Sequence, residues 1–485
     1  MTKARLIIRD EVNVKIEGLD LTTRKKLVSK FKYEIPGARY LPAVRLGRWD
    51  GKVAFFQLGG STYINLLPEI IPLLDEEGYD IEVEDLREYT TQYNFTQITE
   101  DTFADTVWPK GHERVGEPIK FRDYQVEILN NFLANPQSVQ EVATGAGKTI
   151  ITAALSKSVE AYGRSIIVVP NKSLVTQTEV DYINLGLDVG VYFGDRKEFG
   201  KTHTICTWQS LNILLKNTKS GDAEFTIGDF IEGVVCIMVD EVHMAKADAL
   251  KTLLTGIFAS VPIRWGLTGT IPKEDYNRLS IFCGIGSVVG TLSASTLQEA
   301  GHLANCHVNI VQLADSVEYK DYQSELKYLT ETEERLDYIA NLVKSVNATG
   351  NTLVLVDRIA TGKLLLERLE NAVFVSGSTK AKDRKDEYDE VAISSDKIII
   401  ATYGVASVGI NIPRIFNLVL VEPGKSFVRV IQSIGRGIRK AEDKDFVQIW
   451  DITSTCKFAK RHLTKRKQFY KDANYPFSVE KAKWQ

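Results

Sequence analysis

Ala143-Thr144-Gly145-Ala146-Gly147-Lys148-Thr149 stands between a short β-branched run, Val139 to Val142, and a long amphipathic stretch that begins at Ile150. A strand that enters a glycine-rich turn and leaves as a helix is the local form of a loop that cradles phosphates. Gly145 and Gly147 permit a tight turn, so that the backbone N–H groups of this segment, Thr144 and Ala146 included, point inward. Lys148 adds a positive charge for the β and γ phosphates, and Thr149 offers a hydroxyl to Mg²⁺. ATP and Mg²⁺ are the cofactors this loop predicts. The general pattern has a glycine five residues before Gly147, where this chain has Val142.

Outward from the loop, short apolar runs alternate with helical segments, the rhythm of parallel sheets with crossover helices. The expected strands are Val139 to Ala143, Ser165 to Val169, Thr204 to Thr207, Val234 to Val239 and Arg264 to Thr268. A second series follows at Thr352 to Val356, Ala372 to Ser376, Lys397 to Thr402, Phe416 to Val421 and Phe446 to Asp451. The first 88 residues read instead as a small α+β domain, with a helix near Leu21 to Phe31 and strands that include Tyr63 to Leu66. Residues 89–118 read as a connector, 119–275 as the first α/β domain, 276–334 as an inter-domain segment or the start of the second α/β domain, 335–455 as the second α/β domain and 456–485 as a basic tail.

Two more motifs carry chemistry. Asp240-Glu241-Val242-His243 follows the apolar run Val234 to Val239, at the carboxyl end of a strand, where open α/β sheets bind ligands. Asp240 is placed to hold Mg²⁺ opposite Thr149, and Glu241 to polarise the water that attacks the γ-phosphate. Gln432-Ser433-Ile434-Gly435-Arg436-Gly437-Ile438-Arg439 lies in the second series. Its i, i+3 spacing is expected to put Arg436 and Arg439 on one helical face, aimed at charge developing on the γ-phosphate. The expected catalytic set is therefore Lys148, Asp240, Glu241, Arg436 and Arg439.

In this order, across residues 120 to 455, the motifs resemble those of superfamily 2 helicases, and Val142 in place of glycine fits a loop variant associated with nucleic-acid motors. The resemblance implies two tandem RecA-like parallel-sheet motor domains preceded by a small α+β domain. It makes Phe121-Arg122-Asp123-Tyr124-Gln125 similar to the adenine-reading segment, with Gln125 as the base contact and Arg122 supporting the nucleotide, and adds Gly409 and Gln432 to the nucleotide contacts. Pro170, Asn171, Ser173 and Gln177 fall in a segment similar to motif Ia, and Thr207, Gln209 and Ser210 in one similar to motif Ic. Ser376 and Gly377, with Ser378, and Thr402 occupy the matching positions of the second series. These residues are expected to contact DNA. Two departures stand out: Thr268-Gly269-Thr270 where Ser-Ala-Thr is common, and Asn411 where many relatives carry aspartate. Shorter phrases, Gly47-Arg48-Trp49-Asp50-Gly51 among them, resemble the phage recombination helicases that migrate DNA branches. That resemblance implies forked or junction DNA as partner and 3′ to 5′ polarity; action as a monomer is expected. RNA helicases and the motors of restriction enzymes share the same motifs, so those alternatives stay open.

Composition narrows the class further. A chain of 485 residues with 44% apolar and 25% charged residues is globular and multidomain, and no stretch approaches the ~20 apolar residues of a membrane span. Charges interrupt the amino-terminal apolar run, so no export signal is read and a cytoplasmic location is expected. The five cysteines lack paired spacing, which argues against disulfides and zinc ribbons; Cys306 with His302 and His307 is too small a cluster to assign. A net charge of −3 means that nucleic-acid contact must come from local cations. Trp49 is expected in the small domain's core, flanked by Arg48 and Lys52 at the surface, and the basic run after Thr453 reads as a solvated helix face.

Overall fold

The computed structural model describes residues 2–484 apart from 89–91, 110–113, 199, 222–224, 245–250, 378, 380–389, 392, 410, 411 and 413. The chain divides into two compact units, residues 1–142 with 147–291, and residues 143–146 with 292–485.

The first unit holds an eight-stranded sheet. Its strand order is Arg196–Lys197, Val189–Phe193, His203–Thr207, Arg164–Val169, Val234–Val239, Ile263–Thr268, Gln137–Val142 and Ser287–Leu292. From Val189–Phe193 to Gln137–Val142 the neighbours pair in parallel. Val139, Ile166, Val168, Ile237 and Val239 are almost wholly buried and pack under Leu211, Phe230 and Phe258, as near-continuous apolar strands covered on both faces require. All five expected strands are present, Val234–Val239 with the expected bounds and the others shifted by one or two residues. The two at one edge and Ser287–Leu292 at the other were not expected.

The same unit carries the amino-terminal α+β structure. Thr2–Ile8 pairs antiparallel with Asn13–Glu17 and parallel with Tyr79–Asp85, and Ser61–Tyr63 closes the four-stranded sheet. The expected strand Tyr63 to Leu66 therefore ends at Tyr63, and Ile64–Leu66 is a 3₁₀ turn that leads into the helix Leu67–Glu76. Its core is shared: Phe55, Phe56, Ile70 and Leu74 pack with Tyr276 and Cys283 of the helix Asp275–Gly284. Main-chain and amide bonds reinforce the join, from Glu11 N–H to Ala259 O (3.0 Å), Asn13 Nδ2 to Thr255 O (2.8 Å) and Asn65 Nδ2 to Phe282 O (2.7 Å). Behind it the buried guanidinium of Arg264 bonds the carbonyls of Gly284 and Leu254 (both 2.6 Å). Lys251 Nζ lies 4.1 Å from the centre of the Phe55 ring.

The second unit is a seven-stranded, all-parallel sheet ordered Ala372–Val375, Ile398–Thr402, Thr352–Val356, Asn417–Val421, Phe446–Ser454, Asn305–Leu313 and Phe477–Ala482. Two of its strands come from segments read otherwise in the sequence. Asn305–Leu313 arises in the stretch read as an inter-domain segment or the start of the second α/β domain, where no strand was drawn, and Phe477–Ala482 comes from the basic tail, whose helix Lys457–Asp472 packs on the sheet. Arg466 anchors that helix with two bonds to Asp451 (2.8 and 2.9 Å), both side chains fully buried, and Tyr470 adds a third (2.7 Å). The two sheets in tandem, preceded by a small α+β domain, are the RecA-like arrangement that the motifs imply. Among the described residues no helix is long and apolar enough to cross a membrane.

Candidate nucleotide and nucleic-acid sites

The phosphate loop has the predicted backbone. Gly145 and Gly147 take φ of +93° and +82°, left-handed values that side chains disfavour, and Gly147 caps the helix Lys148–Val159. The first amides of that helix form the anion-binding end. A Cβ on Gly147 would come within 2.7 Å of Gln125 Nε2, so the glutamine expected to read adenine lies against the loop. Gln125 Oε1 accepts the Arg122 N–H (3.0 Å) and so boxes its own helix start, while Arg122 Nη1 reaches Tyr124 Oη (3.0 Å).

Lys148, Glu241, His243 and Thr268 form one connected network. Lys148 Nζ lies 2.7 Å from Glu241 Oε1, with only 9% and 13% of the two side chains exposed. Glu241 Oε2 accepts the Gly269 N–H (3.3 Å) and lies 3.5 Å from His243 Nδ1. Thr268 Oγ1 donates to Thr270 O (2.8 Å) and therefore accepts from His243 Nδ1–H. Burial opposes charge on Glu241, but Lys148, then His243 and the Gly269 amide, hold its carboxyl below the usual range. Burial keeps the His243 imidazole neutral-leaning, against the pull of Glu241. Glu241 itself has φ +51°, a strained backbone that turns its side chain back toward the lysine. Thr268-Gly269-Thr270, the departure from the common motif, is thus tied to the Glu241 carboxylate.

Asp240 is 5% exposed at the end of its strand, and its Oδ1 accepts the Glu241 N–H (2.9 Å). Thr149 donates its hydroxyl to Asp181, a carboxylate of the helix Lys172–Asn184 that the sequence reading did not single out. This donation leaves the Thr149 oxygen's lone pairs available. Hard oxygen donors on Thr149 and Asp240 beside a phosphate loop fit Mg²⁺, which when bound polarises phosphate oxygens. Among the described residues no group of three or more His, Cys, Asp or Glu is arranged to hold a metal. All five cysteines are buried free thiols, and His307 turns to Ser478 (3.1 Å).

The arginine motif departs from expectation. The helix Phe427–Gly437 stops before Arg439, with Ile438 as its cap, so Arg436 and Arg439 do not share a helical face. Arg439 sits instead in an isolated β-bridge with Leu303. Lys444, 3% exposed, donates to Gly437 O (2.5 Å) and Arg439 O (2.7 Å) and fixes this end. Within the same unit the approach is close: a Cβ on Gly435 would stand 2.9 Å from Thr144 Cβ, and one on Gly145 would stand 2.9 Å from Leu303 and 3.7 Å from Arg439 Cγ.

The expected strand contacts divide by exposure. Gln177, Gln209 and Gly377 are exposed, Pro170 and Thr402 half-buried at strand ends. Thr207 and Ser210 are buried and bond each other (3.0 Å), because Thr207 caps the helix Trp208–Ser220. Asn171 caps the preceding crossover helix, Lys172–Asn184, by accepting the Leu174 N–H (3.1 Å), and Ser376 N–H donates to Thr379 Oγ1 (3.1 Å). Ser378 and Asn411 lie outside the described residues, as do the side chains of Ser173, Gln432 and Arg436; Gly409 ends a helix. Trp49 is not in the core. It is partly exposed, its indole N–H bonded to Lys52 O (3.0 Å), because Gly47 and Gly51, at φ +68° and +74°, turn the segment outward. Beside it Tyr40 (69%), Leu46 (65%) and Arg48 are exposed.

Comparison with known proteins agrees with this geometry. A family model described as the res subunit of type III restriction enzymes matches residues 118–273, and the helicase conserved C-terminal domain matches 334–441. The ATP-dependent DNA helicase uvsW of Enterobacteria phage T4 is 25% identical over 470 residues, covering 92% of this chain and 90% of the relative. The DNA 3′-5′ helicase XPB of Kineococcus radiotolerans is 24% identical over 370 residues, 74% of this chain and 64% of the relative. Among solved structures, the helicase MrfA bound to DNA (TM-score 0.57, 14% identity, 81% of this chain and 53% of that one) shares the fold. So does the ATP-dependent Type ISP restriction-modification enzyme LlaBIII bound to DNA (TM-score 0.56, 17% identity, 87% and 36%).

Proposed function

This chain belongs to the superfamily 2 helicases, and on that premise we propose that it is a DNA-stimulated ATPase that translocates on DNA and unwinds or branch-migrates forks and junctions in recombination, repair or replication-fork processing. The observation that carries the reading is the network from Lys148 through Glu241 and His243 to Thr268. It joins a phosphate-binding cation, a carboxylate kept ionised to activate water, and the segment that links nucleotide state to the rest of the unit. Lys148 and the loop amides bind the β and γ phosphates, Thr149 and Asp240 hold Mg²⁺, and Arg436 and Arg439 meet charge developing at the γ-phosphate. Turnover then requires the arginine end as well as the loop.

DNA rather than RNA is favoured by the relatives named as DNA helicases and by the Tyr40, Leu46, Arg48 and Trp49 surface. Aromatic and apolar side chains there interleave with cations, a pattern suited to unstacked bases beside phosphates. Polarity of 3′ to 5′ and action as a monomer complete the proposal. A motor of a restriction-type complex is the second reading, favoured by the family model over residues 118–273.

One side-by-side measurement tests these readings: ATPase stimulation of the full chain by single-stranded DNA, duplex, fork, four-way junction and RNA, with DNA integrity checked in the same tubes. Fork or junction DNA should stimulate most, and Trp49→Ala should reduce that preference more than the unstimulated rate. Stronger stimulation by RNA sinks the DNA assignment, and cleaved DNA favours the restriction-type motor.

A further inference from the structure

Helix Lys457–Asp472 presents Lys457, Lys460, Arg461 and Lys465 on one exposed stripe. Like charges at i, i+4, as in Lys457 with Arg461 and Arg461 with Lys465, destabilise a helix. Elsewhere the chain pairs such cations, as in Lys26 with Glu77 (2.7 Å) and Lys201 with Asp188 (2.8 Å). Among the described residues these four have no carboxylate within 4 Å. A stripe of unpaired cations in a chain of net charge −3 is not the expected outcome of a merely solvated face.

The helix is also rigidly held. Its buried side bonds Asp451 through Arg466 and Tyr470, and its first amides, Phe458 N–H and Ala459 N–H, donate to buried Glu325 (3.1 and 2.7 Å). Glu325 neutralises the helix terminus, so the field at this surface comes from the side chains. Between the helix start and residues 315–318 runs a groove of about 580 Å³, lined by Lys457, Lys460, Arg461 and the Thr455 and Thr464 side chains. The acids on it are Asp315, whose buried side chain is committed to Ser454, Tyr328 and Trp484, and exposed Glu318.

Topology gives the groove its meaning. All seven strands of this sheet are parallel, so the helix, which starts just after Phe446–Ser454, begins at the same sheet edge as Ser376 and Thr402. Thr402 is three strand spacings from that start, roughly 15 Å at about 4.8 Å each. Exposed Lys425 follows the intervening strand Asn417–Val421.

We propose that the Lys457, Lys460, Arg461 and Lys465 stripe is a second DNA-backbone contact, which extends the path at Ser376 and Thr402 along the sheet edge. It rests on the reading of the chain as a DNA motor. From Lys457 to Lys465 is roughly 12 Å of helix, the length of three to four phosphates of one duplex strand at about 3.4 Å each.

The test is the salt dependence of fork binding by the nucleotide-free full chain, compared with Lys457→Ala, Lys460→Ala, Arg461→Ala combined. Each lost phosphate contact lowers the slope of log K against log salt by about 0.9, so the triple variant should lose about 2 to 3 in slope and bind roughly 10-fold or more weakly. Unstimulated ATPase should stay unchanged, and the swap Lys457→Arg, Lys460→Arg, Arg461→Lys should restore the slope. Equal slopes in wild type and triple variant overturn the proposal alone. A wild type that binds no DNA overturns the parent reading with it, and a greater slope loss on an RNA fork than on DNA overturns the choice of DNA.

Discussion

At Glu241 the first unit fixes its chemistry with side chains: a lysine, a histidine and a threonine around one carboxylate, at a strand end with a strained backbone. At Arg439 the second unit uses main chain: a β-bridge to Leu303 and two carbonyls gripped by one buried amine. Ionic side-chain networks concentrate energy in few atoms, so each member is individually indispensable. A backbone-held terminus spreads the load and positions a side chain without touching it. Substitutions in the two regions should therefore differ in kind, and the difference is measurable.

Lys148→Ala should have the largest effect. It removes the cation proposed to bind the phosphates and leaves Glu241 buried without its main partner, so ATP hydrolysis should fall by about 100-fold or more. The nucleotide-free protein should also lose on the order of 3 kcal/mol of stability, as for a broken buried pair. Steady-state ATPase and thermal melting read the two losses, and full hydrolysis in the variant breaks the comparison. Arg439→Ala comes next, with turnover lower by about 100-fold while nucleotide affinity changes little, as for a group that acts in the transition state. Lost nucleotide binding with an unchanged rate per bound ATP would instead make Arg439 a binding group.

Legibility in the sequence follows the same divide. Ten strands could be read because their apolar runs leave a strong pattern, that of Ala372–Val375 at a sheet edge included. Two other edge strands could not: Phe477–Ala482 is exposed at its four middle positions, and Ser287–Leu292 has no buried residue at all. Lys148, Asp240 and Glu241 stand in motifs at strand ends, and proximity in the fold follows from topology. Asp181, Arg264 and Lys444 stand in none, because their partners are a distant hydroxyl or main-chain carbonyls that carry no residue identity. Thr207 and Ser210 show a third case: a T-x-x-S spacing suits a phosphate contact and a helix cap equally, and here the cap uses the hydroxyls. The shared core of Phe55, Phe56 and Tyr276 was equally hidden, and it makes deletion of residues 1–88 a poor probe, since the cut exposes apolar surface.

The smallest effect is expected at Lys444, and it separates the two regions most sharply. Burial, then the nearby Arg439 charge, pushes its amine down to about 7, with Asp443 opposing. The unfolded chain keeps this proton until its ordinary value near 10.5. Between those limits the unfolded state binds more protons than the folded state, so stability rises with pH there, by at most about 1.4 kcal/mol per pH unit. Below pH 7 both states are protonated and the slope vanishes. Neutral or charged, the amine still has N–H groups for Gly437 O and Arg439 O, so turnover should not follow this titration. Lys444→Met leaves both carbonyls without that donor, at a cost of about 1 to 3 kcal/mol, and should lower kcat a few-fold without weakening nucleotide binding. Its melting temperature should rise less steeply than the wild type's from pH 7 to 10. Parallel curves would assign the titration to another group, while nucleotide binding lost along with kcat would mean that the arginine end is held as indivisibly as the network around Glu241.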